Sequence, residues 1–169
     1  MRRAGTSGTR LHGLVLRICT AWAVLGGLLL VAVVLMNVFS IVSFALFNAS
    51  FTGDFEMTEV GVAVAVFAFL PYCQIAGLNV TADIFTARAS RLWLSLFSLL
   101  AAAIALGFGA FMLWRMYFGM IDQITFEATT AILQIPLWWG FAASLASLAL
   151  LVLASFASLL DALHGMARG

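Results

Sequence analysis

Charged residues are absent from four long stretches of the chain, which run from Ile18 to Gly53, Val60 to Ala82, Leu92 to Trp114 and Ala128 to Leu160. The positions inside these stretches are mostly apolar. A helix needs about 20 apolar residues to cross the hydrocarbon core of a bilayer. Each stretch therefore predicts one transmembrane helix, and the intervals between the stretches are too short to form separate domains.

We predict an all-α integral membrane protein with a single four-helix domain at 18–160 and spans near 18–42, 58–76, 92–116 and 136–159. Residues 1–17 are predicted to form a basic arm and residues 161–169 a short tail. The first stretch is longer than one span needs. Its surplus, Phe44 to Phe55, either prolongs a tilted helix or lies along the membrane interface, and the periodicity does not decide between the two.

The arginines indicate which side of the membrane each end occupies. The chain has eight basic residues, all arginine, and four spans place seven of them on the side of both termini: Arg2, Arg3, Arg10, Arg17, Arg88, Arg91 and Arg168. Only Arg115 falls on the other side. Loops rich in Lys and Arg stay in the cytoplasm, so both termini are predicted to be cytoplasmic.

Composition agrees with a membrane location and limits the chemistry. The chain is 64% hydrophobic and 9% charged, whereas soluble domains carry about 25% charged residues. Cys19 and Cys73 are far apart and form no CxxC pair, so neither a dithiol redox site nor a zinc site is indicated. His12 and His164 are the only histidines, and both lie outside the spans, which argues against a haem held between helices.

The spans also lack the charges that pumps and ion-coupled carriers place within the membrane. We therefore predict no catalysis, no metal and no cofactor on this chain, and interpret it as a subunit of a larger assembly. Asn37, deep in the first span, is expected to form an interhelical hydrogen bond rather than to bind a substrate.

Small residues recur at helical spacing in the last two spans and are candidates for close helix packing. They form a predicted seam against a partner subunit, made of Ala101, Ala105, Gly109, Gly140, Ser144 and Ser147.

Several short motifs resemble one transporter family. Phe47-Asn48 followed by Gly53-Asp54-Phe55-Glu56-Met57-Thr58-Glu59 looks like the family's Phe-Asn, Gly and Glu-Leu-x-Glu segment entering span two. Gly77-Leu78-Asn79-Val80-Thr81-Ala82-Asp83 and Ile135-Pro136-Leu137-Trp138-Trp139 look like its segments after span two and at the start of span four. The chain thus resembles the small membrane (Q) subunit of TRAP transporters, the tripartite ATP-independent periplasmic systems. Asn79 departs from the family's usual histidine.

The resemblance implies a heterodimer in the bacterial inner membrane. In this family the small subunit packs against the scaffold of a large, sodium-coupled permease (M) subunit, which imports organic acids delivered by a periplasmic binding protein. Sodium is then expected on the permease and not on this chain.

Two groups of polar residues are candidates for contacts. The acids predicted to face the periplasm are candidates for docking the binding protein, or are simply solvated carboxylates favoured at a helix start: Asp54, Glu56, Glu59, Asp122 and Glu127. Asn79, Asp83, Arg88 and Arg91 are candidates for anchoring the loop between spans two and three.

Two other function classes stay open on the sequence. One is a small self-assembling tetraspan or holin-like membrane protein, which would form homo-oligomers. The other is a cofactor-free membrane anchor of an enzyme complex.

Overall fold

The computed structural model describes residues 8–49, 51–77 and 91–167. Four helices account for most of them: α1 at Gly8–Phe47, α2 at Asp54–Ile75, α3 at Arg91–Thr125 and α4 at Trp138–Ala167. Each contains a segment long and apolar enough to cross a membrane, namely His12–Phe47, Asp54–Ile75, Leu99–Thr125 and Trp138–Leu160. The predicted all-α membrane fold with four spans is confirmed.

The surplus of the first apolar stretch is divided: residues 44–47 continue α1, residues 48, 49 and 51–53 form the α1–α2 turn, and residues 54–55 begin α2. α1 continues without a break to Phe47, and the N–H of Asn48 donates to the carbonyl of Phe44 at 2.9 Å. Asn48 then adopts a left-handed conformation with φ of 55°, which ends the helix. A second left-handed residue, Gly53 with φ of 89°, directs the chain into α2. Between the two alternatives, residues 43–47 therefore prolong the helix.

α4 is the central helix of the fold. It packs against α3, α2 and α1, and α1 also packs along α2. α3 packs chiefly against α4. The fold is thus a three-helix group of α1, α2 and α4, with α3 attached to the side of α4. α4 begins at Trp138, two residues after Pro136, which belongs to the preceding loop.

Glycine and alanine bring α1 and α2 into close contact. A Cβ atom added to Gly26 would lie 2.6 Å from the Cβ of Ala68 and 3.4 Å from the carbonyl oxygen of Ala65. A Cβ atom added to Gly61 would lie 2.6 Å from Cγ2 of Val33. Apolar side chains gain little when they exchange lipid for a neighbouring helix, so close backbone approach is a main source of helix association in membranes.

Hydrogen bonds add specific links between the helices. The amide of Asn37 on α1 donates to the hydroxyl of Thr58 on α2 at 2.8 Å. The interhelical bond predicted for Asn37 is confirmed. Near the other end of the bundle, Trp22 donates its indole N–H to the hydroxyl of Ser147 on α4 at 2.9 Å. Below that bond, α1, α2 and α4 enclose a small apolar core of Cys19, Ile75, Ala154 and Ala157.

Replacing Trp22 with phenylalanine is expected to lower stability by about 1 kcal/mol, because the hydroxyl of Ser147 loses its indole donor. Unfolding in detergent would be compared for Trp22→Phe, Ser147→Ala and the double variant. We expect the two single effects to overlap, since both remove the same bond. Fully additive effects would show that the bond contributes nothing.

Candidate functional site at the acidic end

The acids predicted for docking gather at one end of the bundle. This end, termed the acidic end, consists of residues 48, 49 and 51–53 of the α1–α2 turn, the α3–α4 loop at 126–137 and the adjoining helix ends. Two of the five acids, Asp54 and Glu56, are engaged in hydrogen bonds within the chain. The side chains of the other three are exposed: Glu59, Asp122 and Glu127.

Asp54 ties the end of α1 to the start of α2. Its carboxylate accepts the hydroxyl proton of Ser40 at 2.5 Å and the N–H of Phe55 at 2.7 Å. The oxygen of Ser40, which is 3% exposed, also accepts the N–H of Phe51 at 3.2 Å. A carboxylate at the first turn of a helix also interacts favourably with the helix dipole. Asp54 therefore stabilises the α1–α2 turn, as expected for a carboxylate at a helix start.

Glu56 holds the α3–α4 loop. Its two carboxylate oxygens accept the backbone N–H groups of Ile132 at 2.7 Å and of Leu133 at 3.0 Å. A single carboxylate thereby satisfies two consecutive backbone donors at the tip of the loop, and charged acceptors form stronger hydrogen bonds than neutral ones. We call this contact the Glu56 clasp. It connects residues that are 76 and 77 positions apart in the sequence.

The loop that Glu56 holds has a regular backbone of its own. The N–H of Thr130 donates to the carbonyl of Ile135 at 3.0 Å, and the N–H of Leu137 donates to the carbonyl of Ala128 at 3.1 Å. The hydroxyl of Thr130 accepts the N–H of Ile135 at 3.1 Å. These bonds form a short hairpin, which presents the N–H groups at its tip towards Glu56.

Gly53 lets the same loop approach the α1–α2 turn. The residue is buried, and a Cβ atom placed on it would lie 2.4 to 2.9 Å from three carbon atoms of the Leu133 side chain. Its positive φ of 89° also favours glycine. Gly53, Leu133 and the Glu56 clasp thus join the two connecting segments of the acidic end into one packed unit.

Two apolar grooves flank α2 below this unit. The first, of about 610 Å³, lies between α2 and α3 and includes Phe67, Met116 and Phe141 in its lining. The second, of about 540 Å³, lies between α1 and α4 and includes Met36 and Trp139. Both grooves are bordered by Glu56 and Gly140. Their linings are almost entirely apolar, so they suit lipid chains or apolar partner side chains and offer no catalytic constellation.

The structure distributes the residues of the predicted seam between the chain's interior and its surface. Ser144 and Ser147 are 3% and 1% exposed within the chain itself, and Gly109 is buried against Leu151 and Val152 of α4. Gly140 lies beside Val60 of α2 and borders both grooves. Ala101 is exposed and Ala105 half-buried on α3. Four of the six residues thus pack within this chain, and contact of Ala101 and Ala105 with a partner stays a prediction.

The predicted loop anchor falls outside the part of the chain that the structure describes. This applies to Asn79, Asp83 and Arg88 entirely and to the side chain of Arg91, whose backbone begins α3. Within the described residues, no group of three or more His, Cys, Asp or Glu is arranged to hold a metal ion.

The comparison with family models identifies the family of the chain. Residues 30–165, which are 136 of the 169, match the model described as "Tripartite ATP-independent periplasmic transporters, DctQ component". The chain belongs to the DctQ family. The matched range contains residues 30–47 of α1, all of α2 and α3 and most of α4, including every acid of the acidic end. The resemblance to the small TRAP transporter subunit is thereby confirmed.

The other two comparisons add nothing to this: no curated protein and no solved structure matches the chain. The DctQ component is a membrane subunit of a transporter, and the four apolar helices make this one a multi-pass membrane protein.

The packing residues that sequence analysis did not single out are Gly26, Gly61, Ala65 and Leu133. Gly61 and Ala65 had a recognisable signal, because small residues four positions apart are a common helix-contact motif in membranes. Leu133 had none, since nothing in its neighbourhood indicates that it packs on Gly53.

Removing the Glu56 clasp in this DctQ component is expected to release the α3–α4 loop while leaving the helices in place. In Glu56→Ala the N–H groups of Ile132 and Leu133 lose their acceptors, so their hydrogen exchange should be faster than in the parent protein. Glu56→Gln keeps one neutral acceptor oxygen and should give an intermediate result. Glu59→Ala removes an exposed acid one helical turn away and serves as the control. Equal exchange in all four proteins would contradict the clasp.

Proposed function

We propose that this DctQ component braces the scaffold of a large permease subunit within the bacterial inner membrane. The permease is proposed to be sodium-coupled and to import organic acids that a periplasmic binding protein delivers. The family match is the observation that carries this proposal, since the DctQ component belongs to tripartite transporters. On this view sodium binds the permease, and the DctQ component itself holds no cofactor.

The physical character of the chain supports a bracing role. Four long charge-free stretches, one in each helix, offer no pathway of charged groups through the membrane. The large side chains of α1 are widely exposed, as with Leu28 and Leu35, each at 62%, so much apolar surface is left for lipid and for a partner. The positive-inside rule supports cytoplasmic termini, which puts the acidic end on the periplasmic side.

Reconstituted transport tests the proposal. Vesicles would contain the permease with this chain, the permease alone or this chain alone, together with the binding protein and a sodium gradient. We expect sodium-dependent uptake of an organic acid only with both membrane subunits present. Full uptake by the permease alone would overturn the bracing role. Homo-oligomers of this chain that conduct ions without a permease would favour the self-assembling alternative instead.

The exposed acids support a narrower proposal about the binding protein. Glu59, Asp122 and Glu127 are exposed, whereas Asp54 and Glu56 hold the fold together. Complementary charges at the rim of an interface mainly raise the association rate and make it sensitive to salt. We therefore propose that Glu59, Asp122 and Glu127 dock the binding protein and that Asp54 and Glu56 do not.

Charge reversal would test docking without disturbing the fold. In the triple variant Glu59→Lys, Asp122→Lys and Glu127→Lys, we expect the binding protein to associate about tenfold more slowly at low salt. The difference from the parent protein should shrink as salt is added. Surface plasmon resonance on the reconstituted complex measures both effects. An unchanged association rate at low salt would remove these acids from the docking surface.

A further inference from the structure

The last two turns of α1 project beyond the rest of the α1–α2 pair. Ser40 lies beside Asp54, the first residue of α2, because the two side chains share a hydrogen bond. The seven residues that follow Ser40 in α1 therefore extend past the start of α2. At 1.5 Å per residue this projection is about 10 Å long. We call residues 41–47 the apolar tip.

The apolar tip has no charged residue and is exposed on several sides. Its large side chains keep between 48% and 76% of their surface accessible: Ile41 67%, Val42 48%, Phe44 56%, Leu46 71% and Phe47 76%. A cluster of this kind on the surface of a protein marks a site of contact with lipid or with another protein.

The hydrocarbon core of the bilayer does not cover the full length of α1. The charge-free part of the helix, residues 18–47, has 30 residues and is about 45 Å long, against a hydrocarbon core of about 30 Å. Placing all of it inside the core requires a tilt of about 48°, which exceeds the usual range of up to about 40°.

The acids of α2 give a second reason. Because α2 runs back along α1 from the level of Ser40, Glu59 lies about 12 residues, or roughly 18 Å along the helix, below the end of the tip. If Phe47 marked the edge of the hydrocarbon core, the exposed carboxylate of Glu59 would lie deep inside it. Such a position is costly for a charged side chain. The tip therefore stands outside the core.

We propose that the apolar tip inserts into an apolar pocket of the large permease subunit, outside the hydrocarbon core. This inference rests on the function proposed above. A binding protein that docks and leaves would return these side chains to water in every cycle, whereas permanent interfaces are large and hydrophobic. The transient partner is better matched by the charged rim of exposed acids. On this proposal the apolar tip binds the permease permanently, and the exposed acids contact the binding protein transiently.

Co-purification of the membrane complex tests the inference. The permease would be co-expressed with this chain, either as the parent protein or as the double variant Phe44→Ser and Phe47→Ser. We expect the amount of permease that co-purifies with the variant in detergent to be at least about tenfold lower than with the parent protein, as for the loss of an interface hot spot. Phe126→Ser is the matched control, because Phe126 is 78% exposed at the same end but lies in the α3–α4 loop. It should retain the permease fully.

Photo-crosslinking identifies the occupant directly. A benzophenone amino acid at Phe47 is expected to form an adduct with the permease in intact membranes. Adducts only with the binding protein, with a second copy of this chain or with lipid would each overturn the inference. The inference would also be overturned if the double variant retained as much permease as the parent protein. It would likewise be overturned if Phe126→Ser lost as much permease as the double variant. If the parent protein itself does not co-purify with the permease, the proposed function fails as well.

Discussion

Replacing Gly53 with alanine is expected to destabilise the protein by about 2 to 4 kcal/mol, the largest effect of an added methyl group at any glycine of the described residues. Two costs add at this position. The backbone φ of 89° is one that residues with a Cβ atom adopt only with strain. The new methyl group would also overlap the Leu133 side chain, whose three nearest carbon atoms lie 2.4 to 2.9 Å away. Thermal unfolding in detergent measures the change.

Substitutions at Gly77 and Leu133 distinguish the backbone strain from the steric overlap that Gly53→Ala introduces. Gly77 also has a positive φ, of 66°, but a Cβ atom there would meet nothing within 4 Å. Gly77→Ala should therefore cost only the strain of the left-handed backbone, about 1 to 2 kcal/mol. Truncating Leu133 to alanine removes all three overlapping atoms, so Gly53→Ala should be less harmful in that background. If Gly53→Ala were no worse than Gly77→Ala, the packing of Leu133 on Gly53 would be refuted.

The four spans could be predicted from the sequence because their physical signal is local. Each depends on a long interval without charges, such as Ile18 to Gly53, and a charge inside the membrane is costly wherever the fold places it. The same rule could not say where α1 ends, because residues 43–47 are apolar whether they are helical or not. The left-handed conformation of Asn48 ends the helix there.

The different contacts of the three acids in α2 could not be predicted from the sequence. Asp54, Glu56 and Glu59 lie within six residues and look equivalent in the sequence. Only the fold brings the backbone of Ile132 and Leu133 to Glu56 and the hydroxyl of Ser40 to Asp54. Glu59 is left exposed. Long-range pairing of this kind leaves no periodic trace in a single sequence.

The small residues show a similar limit. A glycine or serine stripe predicts that some backbone comes close, but it does not say whether that backbone belongs to the same chain. Ser144 and Ser147 turn out to be buried within this chain, while Ala101 on α3 is exposed. α3 packs chiefly against α4 alone. Its outer face is therefore not covered by the other described helices.

Replacing Gly26 with alanine is expected to separate α1 from α2 and lower stability by about 1 to 2 kcal/mol. The added methyl carbon would lie 2.6 Å from the Cβ of Ala68, whereas carbon atoms in contact are normally about 3.5 to 4.0 Å apart. Ala68 is 4% exposed and has no rotatable side chain, so relief requires the two helices to move. Alanine favours helix by up to about 1 kcal/mol over glycine, which offsets part of this cost.

Gly27 provides a matched control in the next position of the same helix. A Cβ atom there would meet only the ring of Phe69, at an ordinary contact distance of 4.0 Å. Gly27→Ala gains the same helix propensity without the overlap, so it should be neutral or more stable by up to about 1 kcal/mol. Opposite signs for the two adjacent substitutions in detergent unfolding are the expected result. If both stabilise the protein, the contact of Gly26 with Ala68 is looser than described, and α1 and α2 are held chiefly by the hydrogen bonds of Asn37 and Ser40.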